Sequence, residues 1–138
     1  FSTRAGYDLL LVINELASKG IPINVTCLMN LDQMILAAMN GARYVSLFVG
    51  RVWESGADPI PMLTSMRQLI DENQLDCQII AGSIRQTDQV TKCWCVGHGA
   101  HIVTVPAAIL AKFGQHPGTV AAAQEMLQNA QTAGLAKK

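Results

Sequence analysis

This 138-residue sequence is poor in charge: only 14% of its residues are charged, and ten basic side chains balance ten acidic ones. A neutral chain offers no basic stripe for nucleic acid and no polybasic face for an anionic membrane surface. No apolar run approaches the ~20 residues of a membrane-spanning helix. No low-complexity linker interrupts the sequence, so residues 1–138 read as one domain. The opening Phe1-Ser2-Thr3-Arg4 has neither an initiator Met nor a signal-peptide pattern, which suggests a fragment. Cysteine is scarce, at Cys27, Cys77, Cys93 and Cys95. Cys27 and Cys77 lie in or beside apolar runs, where small buried thiols are common. Read as reduced, they point to the cytoplasm. Cys93-Trp94-Cys95, with His98 and His101 nearby, looks like a metal cluster. Positions 93 and 95 fall on nearly opposite faces of a helix, however, and no second Cys pair is present. Packing is the expected role, and no metal site is expected.

What is present is apolar material, half of the chain, arranged in alternating helical and strand patterns. Asp8 to Ser18 reads as an amphipathic helix with Leu9, Leu10, Val12, Ile13 and Leu16 on one side, stopped by Gly20. Strands are expected at Ile23–Leu28, Tyr44–Val49, Gln78–Ser83 and His101–Val105, the last stopped by Pro106. Helices are expected at Leu31–Asn40, Pro59–Asn73 (with proline in its first turn), Gln86–Val96, Ala107–Phe113 and Thr119–Ala133. The tail Lys137-Lys138 reads as frayed. Asn40-Gly41-Ala42 and His98-Gly99-Ala100 echo each other, each ending a helix and starting a strand.

Strands that are apolar throughout need cover on both faces, and alternating elements imply a parallel sheet. Four such strands make either a small open sheet or half of an eight-stranded (β/α)8 barrel, which as a whole needs roughly 200 or more residues. Bare strand edges at Ile23–Leu28 and His101–Val105 would invite association.

Groups that bind an oxyanion collect at the strand ends: Asn24 and Thr26, then Ser46 and Arg51, then Ser83 and Arg85. The C-terminal ends of parallel strands are where such folds place a site. Arg51 and Arg85 read as lying one or two residues beyond their strands, each presenting a planar fork suited to phosphate. Ser83 comes directly after Gly82, which would permit close approach of a ligand. Taken alone, Asn24 could bond to backbone, Thr26 is an ordinary strand residue, and Phe48 is a core aromatic. His98, His101 and His116 read as loop or cap residues.

Four segments in order carry a resemblance: Gly20-Ile21-Pro22-Ile23-Asn24-Val25-Thr26, Tyr44-Val45-Ser46-Leu47-Phe48-Val49-Gly50-Arg51, Ala81-Gly82-Ser83-Ile84-Arg85 and Val103-Thr104-Val105-Pro106. With them, the chain resembles the transaldolase family, class I aldolases that include the small fructose-6-phosphate aldolases. The likeness runs from about Asp8 to the end. It implies helix four and strands five to eight of a (β/α)8 TIM barrel. It further implies that Asn24, Thr26, Ser46, Phe48, Arg51, Ser83 and Arg85 line the active site. Arg51, Arg85 and Ser83 would hold a sugar phosphate, and Thr26 would hold a catalytic water. Phe48 goes with the transferases, where Tyr goes with aldolases that release a free product. Leu47 stands where the family usually has Pro.

The implied reaction, of carbohydrate and pentose phosphate metabolism, moves a dihydroxyacetone unit from a ketose with an anionic tail to an aldehyde acceptor. It runs through a lysine Schiff base, without metal or organic cofactor, in an enzyme expected to be a homo-oligomer. The family's lysine lies on strand four. Phe1–Asp8 is similar to the stretch just after that lysine, so a lysine is expected immediately upstream of Phe1. The alternatives are a fructose-6-phosphate-type aldolase, a sulfonate in place of phosphate, and a non-catalytic sugar-phosphate-binding half-barrel if the chain is complete.

Overall fold

The computed structural model describes residues 8–95 and 99–135, with the side chain of Cys95 excluded. The expectations for Phe1–Tyr7, for Val96, Gly97 and His98, for the Cys95 side chain and for the Lys137-Lys138 tail lie outside these residues.

The first unit, which contains the sheet, ends at Pro106. Helix α1 (Leu9–Ser18) starts at Asp8, whose Oδ1 accepts the Leu10 N–H at 2.9 Å. This satisfies one of the donors that a helix start leaves open. Of its apolar residues only Ile13 is buried, and Val12 is exposed. Val12 therefore corrects the expected apolar face, because it lies at that face's edge.

Strands β1 (Asn24–Leu28), β2 (Tyr44–Phe48), β3 (Gln78–Gly82) and β4 (Ile102–Val103) form one sheet in chain order. Every neighbouring pair is parallel. Helix α2 (Leu31–Met39) comes after β1, with Asn30 Oδ1 capping the Gln33 N–H at 2.9 Å. A further helix, α3 (Val49–Glu54), starts directly from the end of β2. The sequence pattern does not reveal it, and Val49, expected in the strand, opens the helix instead; Gly50 inside so short an element masks its propensity. Helix α4 (Ile60–Glu72) precedes β3, and α5 (Thr87–Cys95) precedes β4.

One sheet face is dry. Val45, Leu47, Ile79 and Ala81 are fully buried, where α2 packs on β1 and β2 and α4 on β3. Met34, Leu63 and Met66 fill that layer. The other face alternates with it, as strand geometry requires. Asn24, Thr26, Ile102 and Thr104 on it are exposed, and Tyr44, Phe48, Gln78 and Ile80 are half-buried. The expectation of strands apolar throughout is thus corrected: Asn24 and Thr26 in β1 and Tyr44 and Ser46 in β2 put polar groups on the face opposite α2 and α4. Four parallel strands in sequential order, with α2 and α4 packed on one face, are the arrangement of part of a (β/α)8 barrel, here not closed.

Strand β4 is shorter than expected, and side chains extend its pairing. His101 Nδ1 accepts the Ile79 N–H at 3.0 Å, and Thr104 Oγ1 donates to the Ala81 carbonyl at 3.4 Å. His101 is therefore a strand-edge residue. Burial first, and then the Arg67 guanidinium, hold its pKa below the usual 6.5. Cys77 and Cys93 are buried, and burial pushes their thiols up to about 11 and about 12. Cys27 is exposed, contrary to the expectation of a buried strand thiol.

The second unit begins at Ala107. It contains α6 (Ala107–Phe113) and α7 (Pro117–Thr132). His116 caps α7, its Nδ1 accepting the Gly118 N–H at 3.1 Å.

Candidate active site

All seven residues singled out from the sequence lie on the uncovered face of the sheet or at its C-terminal end. Two of them are directly joined. Ser46, buried on β2, donates its hydroxyl hydrogen to Asn24 Oδ1 on β1 at 2.7 Å. With the carbonyl oxygen of the amide so engaged, the Asn24 NH2 group is the donor presented to the open face. Ser46 thereby acts on Asn24, and its own hydroxyl proton is committed.

Thr26 lies two residues further along β1, where the ladder breaks. Val25 pairs with Val45 but Leu28 pairs with Leu47, so β1 carries one more residue than β2 across this stretch. Cys27 takes a left-handed φ of 62° there. For a non-glycine residue that is a strained conformation, of the kind that collects at functional sites. Thr26 is exposed at this bulge.

At the end of β2 the chain passes from Phe48 straight into α3. Arg51, expected just beyond the strand, sits on that helix. Its guanidinium carbon lies 5.4 Å from the centre of the Phe48 ring, within the reach of a cation–π contact. In the neighbouring strand Gly82 pairs in register with Phe48, so the segment after β3 emerges beside α3. Ser83 has a φ of 61°. Beyond it, Gln89 Oε1 accepts the Arg85 N–H at 2.8 Å and the Gln86 N–H at 3.2 Å. The Arg85 side chain reaches across to α3, where its Nε lies 3.3 Å from Glu54 Oε1.

Close approach is needed at Gly50, not at Gly82. A Cβ on residue 50 would overlap the Ser83 carbonyl oxygen and lie 3.1 Å from Arg85 Cγ. A Cβ on residue 82 would make only ordinary contacts, the nearest 3.6 Å from Phe48.

Neither Glu54 nor Gln89 stands out in the sequence. Glu54 gains its meaning only once α3 is seen. Gln89 carries a weak signal: an acceptor three residues after a helix cap is half of a capping box. A cavity of about 530 Å³ lies at the opposite end of the strands, lined by Gly20, Pro22, Gly41, Arg43, Asp76 and others. Arg43 is there engaged by Asp76 at 2.5 Å. We place the site at the other end, where the strand-end donors collect. Among the described residues no group of three or more His, Cys, Asp or Glu side chains could hold a metal ion.

Comparison with known proteins gives a consistent result. Residues 2–138 match the family described as Transaldolase/Fructose-6-phosphate aldolase. A probable transaldolase 2 from Bacillus cereus is 40% identical over 104 residues, covering 75% of this chain and 46% of the relative. A probable transaldolase from Streptococcus pyogenes serotype M5 is 39% identical over 106 residues, covering 77% of this chain and 49% of the relative. The chain spans about half the length of the curated relatives it matches. It belongs to the transaldolase/fructose-6-phosphate aldolase family.

Proposed function

We propose that this member of the family supplies the anion-binding and water-holding side of a Schiff-base aldol-transfer site. The supporting observation is the placement of Arg51 and Arg85 beyond the ends of adjacent, in-register parallel strands, with the Asn24–Ser46 pair on the open face of the same sheet. Two guanidiniums and Ser83 suit the tail of a ketose phosphate, or a sulfonate of similar shape. Binding at that tail sets the reacting carbons relative to the rest of the site.

In this reading the nucleophile is a lysine immediately upstream of Phe1. Its free amine adds to the ketone, and loss of water gives a protonated imine. The C4 hydroxyl gives up its proton to the held water as the C3–C4 bond breaks, its electron pair passing into that imine and an aldehyde leaving. The enamine so formed attacks the carbonyl carbon of the acceptor aldehyde, whose oxygen takes up a proton. Water then hydrolyses the imine and frees the lysine. Thr26 holds the water that carries these protons. The Asn24 NH2 donates to a sugar oxygen. Phe48, under Arg51, accords with transfer rather than release of a free product. The route calls on the lysine as its electron sink. Assembly as a cytoplasmic homo-oligomer belongs to the same proposal.

Borohydride reduction of the natural polypeptide in the presence of fructose 6-phosphate tests it. The expected result is a stable adduct on a lysine directly preceding Phe1. Absence of an adduct, with sugar phosphate still bound, would replace the reading with a non-catalytic binder.

A further inference from the structure

Arg85 is held at three points, one on its backbone and two along its side chain. Gln89 Oε1 fixes its backbone N–H. Its stem runs over Gly50, where no Cβ intervenes. Glu54 sits at its head, Oε1 lying 3.3 Å from Nε. The guanidinium is a rigid fork, so a carboxylate on the Nε side leaves terminal N–H groups free to face away from it. Both side chains are about half exposed, 51% for Arg85 and 59% for Glu54. An isolated pair of that exposure does little for fold stability, so its effect is to be sought on Arg85 itself. Free arginine carries large rotamer entropy, which binding an anion must remove. A residue that holds the fork beforehand lowers that cost.

We propose that Glu54 is a positioning residue for Arg85, fixing the direction of its fork and so strengthening the preference for substrates with an anionic tail. This rests on the anion-site reading above. Glu54 also lies about one helical turn beyond Arg51 on α3, so one short helix brings both a direct anion ligand and the guide for the second.

The two effects of Glu54 on a bound anion have opposite signs. Orientation of Arg85 tightens binding, whereas the carboxylate's own charge repels the anion. The measurement is therefore decisive in sign. Competitive inhibition by inorganic phosphate, and KM for fructose 6-phosphate against unphosphorylated fructose, are compared in the natural polypeptide and in Glu54→Gln and Glu54→Ala. Both substitutions should weaken phosphate roughly three- to fivefold, the range open to an exposed ion pair. They should raise KM for the phosphorylated sugar by a similar factor and leave KM for fructose in place. In an Arg85→Ala background the weakening by Glu54→Gln should disappear, leaving only a slight tightening from the lost carboxylate charge. Tighter phosphate binding in Glu54→Gln, or no change, overturns the proposal. If Arg85→Ala itself leaves phosphate inhibition unchanged, the anion-site reading fails for Arg85, independently of Glu54.

Discussion

The α-carbon of Gly50 packs directly against the carbonyl oxygen of Ser83, tying the helix after the second strand to the loop after the third. Arg51 adjoins the first of these residues, and Arg85 lies two beyond the second. The distance between the backbone segments that carry the two arginines therefore depends on a contact that only glycine allows.

Gly50→Ala should be the most damaging single-methyl change at this end of the sheet. Overpacking against backbone costs about 1–3 kcal/mol, and relief of the overlap would move Ser83 and Arg85 apart from α3. Urea unfolding should show the loss of stability, and phosphate affinity should fall with it. Gly82→Ala is the control: its Cβ has ordinary van der Waals room, so both quantities should stay near the parent's. Equal tolerance of the two substitutions would refute the packing account.

Arg51→Ala should weaken a ketose phosphate by about 2 kcal/mol, the scale of a charge-assisted contact. Arg85→Ala should cost less, because Arg85 lies on a loop whereas Arg51 is carried by a helix. Arg51→Lys should fail to restore affinity, since an ammonium neither forks nor stacks on Phe48 in the same way. Calorimetric titration with phosphorylated and unphosphorylated sugar checks the order. An undiminished preference for the phosphorylated form in Arg51→Ala would remove Arg51 from the site.

Ser46→Ala tests the amide's orientation. Without the hydroxyl, Asn24 loses the partner that fixes which end of its amide faces the open side. A net loss of about 1 kcal/mol, roughly fivefold in turnover, is expected from one such bond. Asn24→Ala should then add little to Ser46→Ala, because the two act as a unit. Fully additive losses would show that Ser46 and Asn24 work separately.

His101 gives the sheet a pH dependence of defined sign. Its folded pKa is depressed, by burial and then by Arg67, below the unfolded 6.5. The unfolded chain therefore binds the extra proton first as pH falls. The stabilising contribution is fully present above about pH 6.5, and it is lost as pH drops through the folded value. Protonation of Nδ1 would also remove the acceptor for the Ile79 N–H. Urea midpoints at pH 8 and pH 5.5 should differ more in the parent than in His101→Asn. Identical pH dependence in the two would show that the imidazole does not contribute.

Much of this was legible in the sequence because it depends on local chemistry. Alternating apolar patterns, Gly and Pro stops and side-chain caps located the helices and strands, and polar groups ending apolar runs marked the mouth of the sheet. Arg51, Ser83 and Arg85 stood out by their position relative to a strand, whereas Asn24 and Thr26 needed the family resemblance as well. Helix α3 was not legible, because a six-residue helix containing glycine has no periodicity to read. Nor was the one-sidedness of the sheet. A run such as Tyr44–Phe48 is apolar enough to pass for a strand buried on both faces, until packing shows which alternate residues meet a helix.

The sequence by itself determined the order of elements and which residues are candidates for the site, since both come from periodicity, side-chain type and motif. Tertiary structure alone decided which of those residues act on one another. The Ser46–Asn24 bond spans two strands, the Glu54–Arg85 pair joins a helix to a loop, and Gly50 meets Ser83 from a neighbouring connection. Each depends on strand register and on the angle at which a short helix leaves the sheet. Those are set by packing between segments far apart in the chain, which no local pattern encodes.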